Sequence, residues 1–233
     1  MTEKIFEKIP TTLLLMVTSL IVTIIVAVPL GVLAAVKQYS WADKIITTIA
    51  TIGYALPSFV LGVLLLYIFN IKISAGPFHF PGNGIQTLGK TGDIPDIAWH
   101  MVLPVASLAI QQIAGWSRYM RSSMLEVLQQ DYMRTARAKG LAGSRILFKH
   151  GLRNALIPLI TLLGLTLPSL LGGAAITETI FSWPGLGFLG VQSVGTNDYP
   201  VVLATVMIGG VGVILGNLLA DVMYGVVDPR IKY

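Results

Sequence analysis

At 233 residues, with 54% hydrophobic and 12% charged side chains and a mean hydropathy of +0.76, the chain carries about half the charged fraction of a typical soluble domain, which excludes a water-soluble globular fold. The net charge of +5 does not point to nucleic acid, because in a membrane protein a basic excess marks cytoplasmic loops; zero cysteines exclude a disulfide framework and a thiolate metal site. What remains is an all-α membrane protein, one domain over residues 1–233, whose solvent is the lipid bilayer.

The first apolar run, residues 11–36, follows Lys4 and Lys8 in the manner of a signal peptide, but it is too long for one and reads as a span. Four more runs follow at 45–69, 97–116, 156–177 and 201–224, giving five predicted transmembrane helices, each near the roughly 20 residues needed to cross the hydrocarbon core. Continuous apolar runs without period-two alternation are helices, since lipid demands that a segment satisfy its own backbone. Pro29, Pro57, Pro104 and Pro168 fall inside spans and Pro158 near the start of one; each removes a backbone hydrogen bond and favours a kink, although proline is also common in membrane helices generally.

Segments 37–44, 118–153 and 228–233 carry twelve of the sixteen Lys and Arg, and the alternate segments 1–10, 70–96 and 178–200 carry four. The first set is therefore cytoplasmic, which puts the C-terminus inside and residue 1 outside. An external start without a signal peptide is unusual and is expected of a chain lacking an N-terminal helix.

In the second external segment Gly84, Gly89, Lys90 and Thr91 spell G-x-x-x-x-G-K-[ST], the pattern of a phosphate-cradling loop. The context fails: no buried strand precedes it, and Gly92 and Pro95 follow where a helix would have to begin. It reads as a glycine-rich turn, so ATP, if used, is hydrolysed on another chain.

The segment 118–153 holds eight Lys and Arg against two acids, Glu126 and Asp131. On an ideal helix Tyr132, Ala136, Gly140 and Gly143 share one nearly bare face, and Arg134, Arg137 and Leu141 the opposite one. Small residues let a partner backbone approach and long cations meet acids or lipid headgroups, so the segment is either a docking surface or a topological anchor. Ser144 is expected to cap a following helix through Ile146, Leu147 and His150.

Asp131-Tyr132-Met133-Arg134-Thr135-Ala136-Arg137-Ala138-Lys139-Gly140-Leu141, followed by Phe148-Lys149-His150-Gly151-Leu152-Arg153-Asn154-Ala155-Leu156-Ile157-Pro158, resembles the signature loop of ATP-binding-cassette importer permeases of the dipeptide, oligopeptide and nickel group. The resemblance extends to Glu178-Thr179-Ile180-Phe181-Ser182-Trp183-Pro184-Gly185-Leu186-Gly187 and to Asp228-Pro229-Arg230-Ile231-Lys232-Tyr233, which look like the B-type subunit. Against the general permease pattern, Arg134 and Thr135 stand where Glu-Ala is usual, Ala136 and Gly140 match, and His150-Gly151-Leu152-Arg153 replaces the closing Ile-x-Leu-Pro.

The resemblance implies a type I importer permease fold, normally of six helices with the first absent here, in a bacterial or archaeal inner membrane. It implies a coupling helix seated on an ATPase, formed by Arg134, Thr135, Ala136, Arg137, Ala138, Lys139, Gly140, Leu141 and Gly143. Implied partners are a second homologous permease, two ATP-binding subunits and an external solute-binding protein, with ATP and Mg on the partner ATPase and no cofactor or catalysis in this chain. The implied cargo is di- and oligopeptides, with nickel or another small solute as the alternative.

Residues 178–190 mix Phe181, Trp183 and Phe188 with Pro184, Gly185 and Gly187, as an interfacial or re-entrant loop does. Phe181, Trp183, Pro184 and Gly185 are a candidate external gate, with plain aromatic anchoring as the alternative. Gly212 and Gly216 form G-x-x-x-G, a close helix contact either within the subunit or to a second permease. His79, His100 and His150 are too far apart in sequence to read as a metal site. Asp221 is the only acid in a proposed span and lies near its cytoplasmic end, which disfavours an ion-coupled transporter; no paired carboxylates or nucleophile with a base point to an enzyme.

Overall fold

The structure is a computed structural model describing residues 5–73 and 76–227, and among these all the regular secondary structure is helical. In chain order the elements are α1 (Ile9–Val36), α2 (Trp41–Ala55), α3 (Ser58–Leu66), which runs on as a π-helix over Tyr67–Lys72, and α4 (Ile94–Leu128). Then come α5 (Asp131–Ala138), α6 (Gly143–Arg145), a π-helix Ile146–Leu152, α7 (Arg153–Ala155), α8 (Ile157–Gly172), α9 (Ala175–Ile180), α10 (Leu186–Gly195) and α11 (Tyr199–Val227). Ile9–Val36, Ile94–Leu128, Gly143–Leu170 and Tyr199–Val222 are each long and apolar enough to cross a bilayer.

The second expected span is not straight. Trp41–Ala55 and Ser58–Lys72 meet at 102°. Leu56 and Pro57 are extended, with ψ of 127° and 145°. Proline disfavours helical geometry in the residue before it and has no N–H to give, so the helix stops at Ala55 and restarts at Ser58. The carbonyl of Leu56 is answered by the Gln111 side chain of α4, Nε2 to O 2.5 Å. Pro29, Pro104 and Pro168, in contrast, sit inside continuous helices.

Two other boundaries also move. The third span continues to Leu128, so residues 118–128 belong to α4, and the connecting segment is helical except around residues 129–130 and 139–142. The fourth expected span ends at Gly172 because Gly173 turns with φ +74°, a left-handed geometry open to glycine, and α9 then begins at Ala175.

The centre of the bundle is the α1–α4 contact, where Leu20, Ala27, Trp116, Met120 and Met124 are buried with Ala155 and Leu159 of the fourth span. Gly31 permits this approach, since a Cβ there would lie 2.5 Å from Met120 Cβ and 2.7 Å from the Ser117 carbonyl oxygen. On the outward faces Ile25, Ile49, Leu165, Val206 and Ile214 are each about two-thirds exposed. Such surface is adverse in water and favourable against lipid tails.

Candidate functional site

At one end of the bundle, α5 starts with Asp131 in its first turn and carries Arg137 in its last, both suited to the helix dipole. It stops where Gly140 turns to φ +71°, with the Gly140 N–H donating to the Arg137 carbonyl at 3.0 Å. Met133 and Ala136 are buried against Ile146, with Leu128 and Leu141 alongside. Gly151 sits against the tips of Met124 and Met133, so the π-helix packs closely on this small core.

The expected small face therefore does not form. Ala136 points inward and Tyr132 is exposed, Gly140 lies in a left-handed turn beyond the helix, and Gly143 opens α6. The continuous-helix projection fails because the chain turns at Gly140. Ala142, not Ser144, occupies the cap position of α6, with no side-chain cap bond. Arg134, Thr135, Arg137, Ala138, Lys139, Gly140 and Gly143 are all exposed, and Leu141 is half-buried. Arg134 meets Asp131 at 3.5 Å on an open surface.

Beside this end lies a brace that the sequence reading missed. Asp43, buried at the start of α2, accepts from Arg121 Nε and Nη2 of α4 at 2.7 and 2.8 Å. It also accepts from the Tyr39 N–H at 2.9 Å and the Thr47 hydroxyl at 3.2 Å, while the Ser40 hydroxyl accepts from the Asp43 N–H at 3.4 Å. Ser40 and Asp43 form the Ser-x-x-acid pattern of a helix start, which was the available signal.

At the opposite end, α9 and α10 form a hairpin on the start of α1. Trp183 Nε1 donates to the Thr11 carbonyl at 2.9 Å, and Thr11 Oγ1 donates to the Pro184 carbonyl at 2.8 Å. Thr12 Oγ1 donates to Glu178 Oε1 at 3.0 Å and accepts from the Leu186 N–H at 2.7 Å; the Phe188 N–H reaches Glu178 Oε2 at 2.9 Å. Glu178, Phe181 and Trp183 are fully buried, so Phe181 and Trp183 are core side chains and not anchors in the lipid headgroups. Gly185 fits only as glycine, because a Cβ would fall on the Glu178 carboxylate and 2.5 Å from Thr12 Oγ1.

The phosphate-loop lookalike is a turn segment, with Gly84, Gly89 and Gly92 all at positive φ. Lys90 lies 3.5 Å from Asp96, which also accepts from the Thr87 N–H and hydroxyl at 2.6 and 2.8 Å. His100 Nδ1 is 2.8 Å from the Asp96 carbonyl and His79 Nδ1 2.8 Å from that of Ile73; among the described residues no three His, Cys, Asp or Glu gather as metal ligands. Of the G-x-x-x-G pair, Gly216 packs on the backbone of Leu167 and Pro168, a contact within the chain. Asp221 is exposed, and Asp228 to Tyr233 lie outside the described residues.

Comparison with known proteins follows the same outline. The chain is 48% identical to the oligopeptide transport system permease protein AppB of Bacillus subtilis over 231 residues, covering 99% of this chain and 72% of that protein. It is 42% identical over 228 residues to a putative peptide permease of Brucella ovis, covering 98% and 70%. It is 39% identical to the glutathione transport system permease protein GsiC of Escherichia coli K12 over 231 residues, covering 99% and 71%. Among solved structures, the MetNI methionine ABC transporter matches with a TM-score of 0.68 at 18% identity over 96% of this chain and 97% of that one. An amino acid ABC transporter matches at 0.66 and 17% identity over 95% and 92%; at such identities the likeness shows the fold, that of type I importer permeases. Residues 27–233 match the family of the binding-protein-dependent transport system inner membrane component, and the chain belongs to that family as an integral membrane transport permease.

Proposed function

We propose that this permease forms half of a translocation path for di- and oligopeptides, together with a second homologous permease, two ATP-binding subunits and an external solute-binding protein. The peptide class is supported by the relatives, two of them named as peptide permeases and one as a glutathione permease. ATP and Mg reside on the partner ATPase. In this reading the α5 end and the C-terminus face the cytoplasm, in keeping with the twelve cations on that side.

The observation that carries the reading is α5 itself, a short helix anchored by Met133 and Ala136 with its outer surface left open. Arg134, Thr135, Arg137 and Ala138 present that surface, and Lys139, Gly140, Leu141 and Gly143 continue it past the helix end. Ala136 serves from beneath, as an anchor. A rigid helix of this kind passes force: displacement of α5 by a closing ATPase moves Ile146 and the fourth span with it, shifting the balance between inward-open and outward-open states.

Phe181, Trp183, Pro184 and Gly185 serve as an external gate by moving as one body with the outer end of α1, to which Trp183 and Pro184 are hydrogen-bonded. The test of the docking assignment is charge reversal, Arg134→Glu with Arg137→Glu. The purified permease pair should lose at least tenfold of its bound ATPase while its unfolding midpoint stays within two degrees, since both side chains are exposed. Full retention of the ATPase and of ATP-coupled uptake would remove α5 as the docking element.

A further inference from the structure

Of two arginines one turn apart on α4, Arg121 is neutralised by Asp43 and Arg118 is not. Among the described residues no carboxylate lies within ion-pair distance of Arg118, which rests on the Tyr54 ring of α2, its Cζ 4.6 Å from the ring centroid. The two side chains open on a pocket of about 370 Å³ completed by Gly115, Tyr119 and Ser122. Tyr54 and Tyr119 are 62% and 57% exposed.

Residues 115, 118, 119 and 122 recur at helical spacing, so they form one face of α4, and the half-buried Gln112 extends it toward the membrane core. A stripe of Gln, Arg, Tyr and Ser on the open side of α4, where the helix leaves the hydrocarbon at its cytoplasmic end, fits the inner mouth of a water-filled path. Glycine at 115 leaves room: a Cβ there would come no closer than 3.9 Å to another atom, the edge of Tyr54. The guanidinium is held in place by the aromatic ring, so little freedom is lost when it binds an anion. Three hydroxyls, from Tyr54, Tyr119 and Ser122, surround it as further donors.

The geometry points to a carboxylate-binding station in the translocation path, with Arg118 as its cation and the substrate's terminal carboxylate as its ligand. This deepens the peptide reading above and rests on it. Arg118 meets the carboxylate in bidentate fashion, and Tyr54 holds the guanidinium plane from behind. The station is transient by design, since a path site must release what it binds.

The test uses the whole complex in proteoliposomes with its binding protein, reading uptake of a labelled peptide with a free C-terminal carboxylate and ATP hydrolysis side by side. Arg118→Gln should lower uptake about tenfold, the size of one lost charge-assisted contact, with binding-protein-stimulated hydrolysis within twofold of the parent. Arg118→Lys, which keeps the charge, should recover at least a third of the uptake, and it carries the test if the glutamine variant assembles poorly. Uptake by Arg118→Gln within twofold of the parent would reduce Arg118 to a lipid-headgroup contact and overturn the station. So would equal loss in both variants, or release of the second permease from the complex, which would make this face a subunit contact. A parent complex that imports no peptide at all would instead count against the peptide reading.

Discussion

Arg121 grips Asp43 at two points, 2.7 and 2.8 Å, and so ties the first turn of α2 to the far end of α4 across 78 residues of sequence. The carboxylate side chain is 5% exposed and the guanidinium 26%. Removing one partner strands the other, which in buried pairs costs about 3 kcal/mol or more. Asp43→Asn and Arg121→Gln should each lower the unfolding midpoint in detergent, and the double variant should be no worse than the more damaging single one. Simple additivity in that double-mutant cycle would show that the pair does not act as a unit.

Gly216 and Gly210 lie on the same helix and predict opposite outcomes. A Cβ at 216 falls on the Pro168 backbone, which cannot yield as a flexible side chain can, whereas at 210 nothing lies within 4 Å. Gly216→Ala should therefore destabilise by about 2 kcal/mol or more, and Gly210→Ala should change stability by less than about 0.5 kcal/mol. Comparable thermal shifts for the two would contradict the α8–α11 packing.

Gly140 should be required for its backbone and not for its smallness. At φ +71° with open space around it, alanine costs roughly 1 kcal/mol, while asparagine tolerates the left-handed region. ATPase co-purification should follow the order glycine, asparagine, alanine at position 140, and Gly143→Ala should leave the unfolding midpoint unchanged because nothing in the chain lies within 4 Å of its Cβ position. Equal retention of the ATPase by the alanine and asparagine variants would leave the turn without a role.

Trp183→Phe removes the N–H that bonds to the Thr11 carbonyl and leaves part of a fully buried site unfilled. The expected loss is about 2 kcal/mol, from the lost bond and the cavity together. Gly185→Ala, by driving a methyl into the Glu178 carboxylate and Thr12, should cost more and free the hairpin to protease cleavage. An intact hairpin in the alanine variant would show that Thr12 and Glu178 can separate without releasing it.

The spans were legible because apolar runs leave little choice of solvent, and Pro57 announced a break without its size. The 102° bend depends on Gln111, 55 residues away, satisfying the Leu56 carbonyl, and no local pattern carries that information. The helical projection of residues 132–143 failed for the reason that one glycine can take either hand. Phe181 and Trp183 looked like interfacial aromatics by composition, yet both are buried, and the Trp183 partner Thr11 lies near the other end of the chain. Arg118 was visible only as a charge for topology, since its value depends on Tyr54 beside it and on Asp43 being occupied by Arg121.

The bond from Thr12 to Glu178 spans 166 residues. A ribosome adding roughly 5–20 residues per second needs on the order of 8–33 s to bring the second partner out after the first. Throughout that interval α1 waits in the bilayer with its Thr12 end unclasped, and it is clasped only once α9 has been made. The same hydrogen bonds thus make the closing of this end a late event in the making of the chain.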